Sequence, residues 1–301
     1  MKKIICILLG IVLVASCLSS CSSKKEGENT AASAAESPLL FSYDMAYSNS
    51  ESGAVNAYKA ICSAIINYET ELRINVELTD SAYQLLFSSF PLYELVDDFK
   101  DKEDGSGITI SYKYDKDTHL KAVSDFTEKV QSIKNACADS NKNVYAIKLY
   151  NYIASSIQES DDISVTYYNT IMNGVGTSFS YSKMFEYLLQ QGGINTYHVL
   201  ASDLGGKGWG LTAAELDGQI YYFDIMGEHY SNEGSNLLYF GMTSEDVENI
   251  GLRNLSLTDR TAAPDASDLR FEMCRQCEEW KIEDGNLLIT KYDGVLIQIN
   301  L

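Results

Sequence analysis

The sequence predicts an α+β fold, in which a mostly helical N-terminal region precedes a segment of hairpin-connected antiparallel strands. Three observations carry this reading. Apolar side chains recur at helical spacing over residues 54–66, 120–136 and 144–157. Asp-Gly pairs at 217–218, 284–285 and 293–294 interrupt strand-like runs, which is the signal of a tight hairpin turn. The 301 residues are 45% apolar with only 3 Pro, enough to fill a core and too few breakers for a disordered chain.

The first element is an export signal. Lys2 and Lys3 precede an apolar run over residues 4–15 and then a Ser-rich stretch. That run is too short to span a bilayer comfortably. It leads into Val14-Ala15-Ser16-Cys17 and Leu18-Ser19-Ser20-Cys21, both of which resemble the bacterial lipobox cut before an acylated cysteine. Residues 1–20 are therefore expected to be a lipoprotein signal peptide, with Cys21, or alternatively Cys17, carrying the lipid. An ordinary secretory signal is the competing reading. Several acyl chains, palmitate among them, would hold the mature chain on the extracytoplasmic face of the bacterial cell membrane, where a single chain would bind only marginally. Loss of Lys2 and Lys3 takes the formal net charge from −19 to −21. An excess of that sign argues against nucleic acid as a partner. Residues 21–50 read as a tether, because Ser22 to Glu36 is polar and aperiodic.

Residues 51–160 form the helical region. Its elements are a helix over 54–66, a strand over 73–78 where Arg-Ile-Asn-Val-Glu-Leu alternates, and a helix over 81–96 bent at Pro91. A strand over 108–114 and helices over 120–136 and 144–157 complete it. Residues 161–250 follow, with a helix over 181–191, a strand over 197–202, and a hairpin of 211–216 and 219–224 turning at Asp217-Gly218. Residues 251–301 end in a meander, in which Val295, Ile297, Ile299 and Leu301 share one face.

Residues 174–241 resemble the transglutaminase-like superfamily with its papain-like core. Ser178-Phe179-Ser180-Tyr181-Ser182, a helix through Leu188-Leu189, and Gly193-Ile194 follow the signature around the family's nucleophilic cysteine. Leu216-Asp217-Gly218-Gln219-Ile220-Tyr221-Tyr222-Phe223-Asp224 follows the acidic-Gly turn and aromatic strand that close on its aspartate. Leu238-Tyr239-Phe240 is similar to a downstream landmark. The resemblance implies a helix packed on an antiparallel sheet, and a Cys-His-Asp triad whose imidazole moves the proton while the aspartate fixes its tautomer.

In this chain the triad-equivalent positions are Ser178, Trp209 and Asp224. The histidine position follows from register. If Asp217 and Gly218 are the two loop residues, Leu216 opposes Gln219 and Leu211 opposes Asp224, so Trp209 and Asp224 share a face as diagonal neighbours. Sliding the alignment by two residues would place Lys207 there instead, at the cost of two extra hairpin residues. An indole donates only and cannot act as a base. The chain therefore reads as a pseudoenzyme, with no cofactor and no metal site, whose cleft binds a peptide, glycan or protein. Tyr181, Tyr221, Tyr222 and Lys207 are its candidate cleft residues, with Tyr230 nearby. The alternative is a rebuilt hydrolase or acyltransferase in which His198 or His229 activates Ser178. His119 reads as a solvated residue at a helix start, Ser178 as an N-cap or helix-start residue, and Cys274 and Cys277 as a local disulfide. Cys62 and Cys137 read as buried thiols or a pair.

Overall fold

The computed structural model describes residues 37–232 and 236–301. The expected signal peptide and lipidation site, Cys17 and Cys21 included, lie outside the described residues. Residues 37–50, read from the sequence as the end of the tether, pack into the folded body. Leu39 and Asp44 are buried. Leu40 exchanges two hydrogen bonds with the Gln191 amide, at 2.9 and 2.8 Å.

Helix α1 (Ser52–Asn67) buries Tyr58, Ile61 and Ile65 on one face, as its periodicity requires. The alternating 73–78 segment is not a strand. Only Glu71–Leu72 pairs, as β1, and Val76–Leu78 is a 3₁₀ turn, because the Asn75 side chain accepts from the Glu77 N–H at 3.1 Å and bends the chain. Helix α2 (Thr79–Ser89) stops before Pro91, beyond which a 3₁₀ segment leads to β2 (Val96–Asp101). Strands β2 and β3 (Ile108–Tyr112) pair antiparallel, with β1 on the far edge of β3. Helices α3 (Lys116–Cys137) and α4 (Lys142–Ala154) follow, capped by Asp115 and Asn141 side chains.

The short pair β4 (Gln158–Glu159) and β5 (Val175–Gly176) brackets α5 (Tyr167–Asn173). Helix α6 (Ser178–Gln191) then crosses a four-stranded antiparallel sheet made by β6 (Thr196–Ser202), β7 (Gly208–Leu216), β8 (Gln219–Phe223) and, after α7 (Ile225–Asn232) and α8 (Ser244–Asn249), β9 (Arg253–Leu257). Strand order is β8-β7-β6-β9. A three-stranded meander, β10 (Cys277–Glu283), β11 (Asn286–Lys291) and β12 (Leu296–Asn300), closes the chain. The fold is thus α+β, a helix laid on an antiparallel sheet.

The two faces of that sheet are packed differently. Thr212 points toward α6, its hydroxyl donating to the Ser182 carbonyl at 2.8 Å. Leu211 and Ala213 point the other way and join Val199, Tyr222, Met242 and Val247 in a second apolar cluster. Residues 37–301 form one compact unit. The buried Tyr150 of α4 is one reason. Its hydroxyl lies 3.0 Å from the Asp224 carbonyl and 3.1 Å from the Glu228 carboxylate, tying the helical region to the end of the hairpin.

Candidate functional site

The helix start is fixed by Thr177, not Ser178. The Thr177 hydroxyl accepts from the Ser180 N–H while the Ser180 hydroxyl accepts from the Thr177 N–H, a reciprocal cap that places Ser178 as the first helical residue. Ser178 faces strand β7, where the Gly210 N–H donates to its oxygen at 3.4 Å. This approach needs glycine at 210. A Cβ there would sit 2.7 Å from the Phe179 Cα and 2.9 Å from the Ser178 carbonyl oxygen.

The hairpin turns through Asp217 (φ 52°) and Gly218 (φ 79°), the paired left-handed residues of a type I′ turn. Leu216 accordingly faces Gln219, and Thr212 faces Phe223. That register delivers Trp209 to Asp224, and the indole Nε1–H donates to Asp224 Oδ2 at 3.0 Å. The second carboxylate oxygen accepts from the Gly227 N–H at 2.8 Å. Asp224 is only 3% exposed, and burial pushes its carboxyl up to about 6 against the pull of these two donors. Behind it lies Glu228, fully buried. Its carboxylate accepts from the N–H groups of Asn236 and Tyr239 and from the Tyr150 hydroxyl.

Trp209 stands between two concavities. One, of about 380 Å³, is lined on the far side by Asp224, Gly227, Tyr239, Ile250 and Leu252. The other, of about 180 Å³, holds Ser178, Phe179, Glu159, Asp161 and Lys207. Tyr230 borders both, its ring centroid 6.2 Å from that of Trp209 and its hydroxyl bonded to Glu159.

Of the sequence-derived site residues, Ser178, Trp209, Asp224 and Lys207 meet at this cleft, whereas three tyrosines do not. Tyr181, Tyr221 and Tyr222 are at most 1% exposed. Their rings fill the core, and each hydroxyl has a partner within the protein: Tyr181 with the Gly174 carbonyl, Tyr221 with Asp268 at 2.6 Å, Tyr222 with the Pro264 carbonyl at 2.6 Å. Lys207 is exposed and precedes β7, so it reaches the smaller cavity without taking the place of Trp209 beside Asp224. Cys274 and Cys277 are free buried thiols rather than a disulfide, as are Cys62 and Cys137. His119 is buried, not solvated, with Nε2 2.6 Å from the Ile65 carbonyl and Tyr112 and Tyr68 against its ring.

Neither remaining histidine hydrogen-bonds Ser178. His198 is buried, its Nδ1 3.4 Å from the Ser182 hydroxyl and 3.8 Å from Glu186 Oε2, and burial with the nearby Lys183 drives it well below the usual imidazole range. His229 lies on α7, with its ring 6.0 Å from that of Tyr230. Sequence reading missed Glu228, Tyr239, Glu159 and Asp161. The spacing of Asp224 and Glu228 places both on the first turn after the hairpin, the one signal that could have found Glu228.

No protein-family model matches the chain, and no curated relative does. Among solved structures, it is similar to a TGase at 12% identity and a TM-score of 0.33, over 40% of this chain and 35% of that one. It is also similar to a Cytophaga hutchinsonii protein described as a cysteine protease (11% identity, TM-score 0.31, 52% of this chain and 61% of that). A third is a Parabacteroides distasonis protein described as a protease (10%, 0.31, 56% and 35%). The chain thus spans from about a third to three fifths of the length of these structures.

Proposed function

We propose that this chain is a lipid-anchored, extracytoplasmic binding protein, whose cleft takes up a peptide, glycan or protein segment and leaves it chemically unchanged. One observation carries the reading: the side chain bonded to Asp224, beside Ser178, is an indole. Proton removal from a serine hydroxyl needs an acceptor within hydrogen-bond reach, and an indole nitrogen has no lone pair to offer. Ser178 instead accepts a bond from the Gly210 N–H. The cleft itself is open on both sides of Trp209. Lys2 and Lys3, the apolar run after them and the two lipobox-like cysteines support placement outside the cytoplasm on a membrane anchor.

The competing reading, a serine hydrolase rebuilt around His198 or His229, lacks a contact from either imidazole to the Ser178 hydroxyl. The test exposes the full chain and Ser178→Ala to arrays of peptides and glycans, alongside hydrolysis and acyl-transfer assays. Equal binding by both proteins with no turnover is expected. Turnover that disappears in Ser178→Ala would overturn the proposal.

A further inference from the structure

A third cavity, of about 270 Å³, lies where α3 ends and α4 begins, and shares no lining residue with the spaces beside Trp209. Tyr145 forms part of its wall. The Tyr145 hydroxyl donates to the Leu188 carbonyl at 2.8 Å, and the ring keeps its place because a Cβ on Gly192 would collide with it. The charged groups of the lining are Lys134, Asp139 and Lys142. Asp139 is already neutralised, since one carboxylate oxygen holds the Lys148 ammonium at 3.0 Å and the other accepts the Asn141 N–H at 3.0 Å. Two ammoniums remain without a counter-ion. That of Lys134, in the last turn of α3, makes no hydrogen bond or ion pair among the described residues. Partial burial lowers it from the usual lysine range, and no carboxylate offsets that effect. Lys142 gives one of its three donors to the Gly193 carbonyl and has no ion pair among the described residues. Neutral donors stand beside both. The Gln131 amide donates to Asn135 Oδ1 at 2.8 Å, which leaves the Asn135 N–H donors uncommitted, and the Ser140 hydroxyl has no partner among the described residues.

We propose that this cavity holds a phosphate monoester, carried by a soluble compound or by a lipid headgroup, with Lys134 and Lys142 as its counter-ions and Asn135 and Ser140 as further donors. Two uncompensated positive charges match a phosphate monoester, which carries about −1.5 to −2 near neutral pH, whereas a carboxylate would leave one ammonium unpaired. Lysine binds phosphate as a point charge and does not need the planar, bidentate geometry that suits arginine to a carboxylate. Tetrahedral phosphate oxygens also accept from several directions, and here the donors come from the end of α3, the connecting loop and the start of α4. A nucleic-acid backbone is a poorer fit, because it would lay many phosphates along a chain whose formal net charge is −19. A metal cation would be opposed by both ammoniums.

The test titrates glycerol 1-phosphate into the full chain by calorimetry, with sodium chloride holding the ionic strength constant. Saturable binding at one site is expected, about tenfold or more tighter than that of acetate. Lys134→Gln and Lys142→Gln should each weaken it by about tenfold, the weight of one charge-assisted bond. Lys121→Gln, which removes an exposed lysine paired with Asp125 on the same helix, should leave it unchanged. If a cavity variant fails to fold by circular dichroism, protection of Lys134 from acetylation by glycerol 1-phosphate, read by mass spectrometry on the parent protein, decides alone. Dihexanoyl phosphatidic acid below its micelle concentration distinguishes the two sources. Binding about tenfold or more tighter than that of glycerol 1-phosphate assigns a lipid headgroup, and equal or weaker binding assigns a soluble ester. Absence of saturation, equal binding of acetate, or a loss in Lys121→Gln as large as in Lys134→Gln would overturn the proposal.

Discussion

Replacing Trp209 by Phe removes one N–H while keeping a ring between the two cavities, and its effect on stability should depend on pH. Asp224 titrates near 6 in the folded protein, above its ordinary value of 3.8. A carboxyl raised by folding contributes stability that is present in full below the unfolded value and is lost as pH rises through the folded one. The indole N–H opposes that loss, since a hydrogen bond to a charged group contributes about 1.5–3 kcal/mol and one to a neutral group about 0.5–1.5 kcal/mol. The difference, about 1–1.5 kcal/mol, means that its removal should raise the Asp224 carboxyl by a further ~1 pKa unit, at 1.36 kcal/mol per unit. The loss of stability then continues into a window where the parent protein has already finished titrating. Urea denaturation at pH 5 and pH 8 measures this, with the other buried groups cancelling between parent and variant. The destabilisation should be larger at pH 8 by about 1–1.5 kcal/mol, and the difference should vanish when the same substitution is made in Asp224→Asn. Equal destabilisation at both pH values would refute the argument that the indole stabilises an ionised Asp224.

Gly210→Ala should cost about 2–3 kcal/mol in denaturant melts, because its Cβ meets backbone of α6 on one side and no rotamer can relieve it. Asp217→Ala should cost about 1–2 kcal/mol by placing an ordinary residue at φ 52° and breaking the Arg270 and Asn143 contacts, whereas Asp217→Asn should lose less because it tolerates the turn. Glu186, pushed from 4.5 up to about 8 by burial, withdraws stability as pH rises through that interval, a loss that is complete above about 8. Glu186→Gln should flatten that part of the stability profile, and an unchanged slope would contradict the assignment. In Ser178→Cys the new thiol should alkylate with the pH dependence of a cysteine lacking a base, and adding Trp209→His should lower its apparent pKa by at least ~1 unit.

The parts of the site that were legible in the sequence are those fixed by parity. A two-residue turn at Asp217-Gly218 sets which residues oppose one another, and side-chain alternation then sets which share a face, so the pairing of Trp209 with Asp224 needs no tertiary information. Exposure was not legible in the same way. Tyrosine is apolar in its ring and polar at its tip, and Tyr181, Tyr221 and Tyr222 can be core residues because a carbonyl or carboxylate outside their own element receives each hydroxyl, from the nearby Gly174 for Tyr181 and from distant segments for the other two. Strand β2, Val-Asp-Asp-Phe-Lys-Asp, carries no apolar run and exists because β3 offers it a partner. Helix α7 begins where the Asp224 carboxylate receives the Gly227 N–H and its carbonyl receives that of Glu228, so the residue that ends the hairpin also starts the helix.

The fate of His198 bears most directly on whether any hydrolytic machinery was rebuilt. It sits on β6, one strand from Trp209, and is the natural substitute for a missing base. Its backbone N–H donates to Asp44 Oδ2 at 3.1 Å, and its ring is enclosed by Ser182 and Glu186. Asp44 in turn lies 3.6 Å from the Lys183 ammonium, which holds Glu186 at 3.0 Å, and the Asp44 N–H donates to the Ser89 hydroxyl. The histidine is thus committed to a buried network that fastens the 37–47 segment across α6 and β6. Removing one member of such a network leaves the others buried without partners, at a cost of several kcal/mol. The bond to Asp44 comes from the His198 backbone and does not depend on where the ring points, whereas the ring itself faces Ser182 and Glu186, away from any hydrogen bond with Ser178, and this leaves the serine without a base.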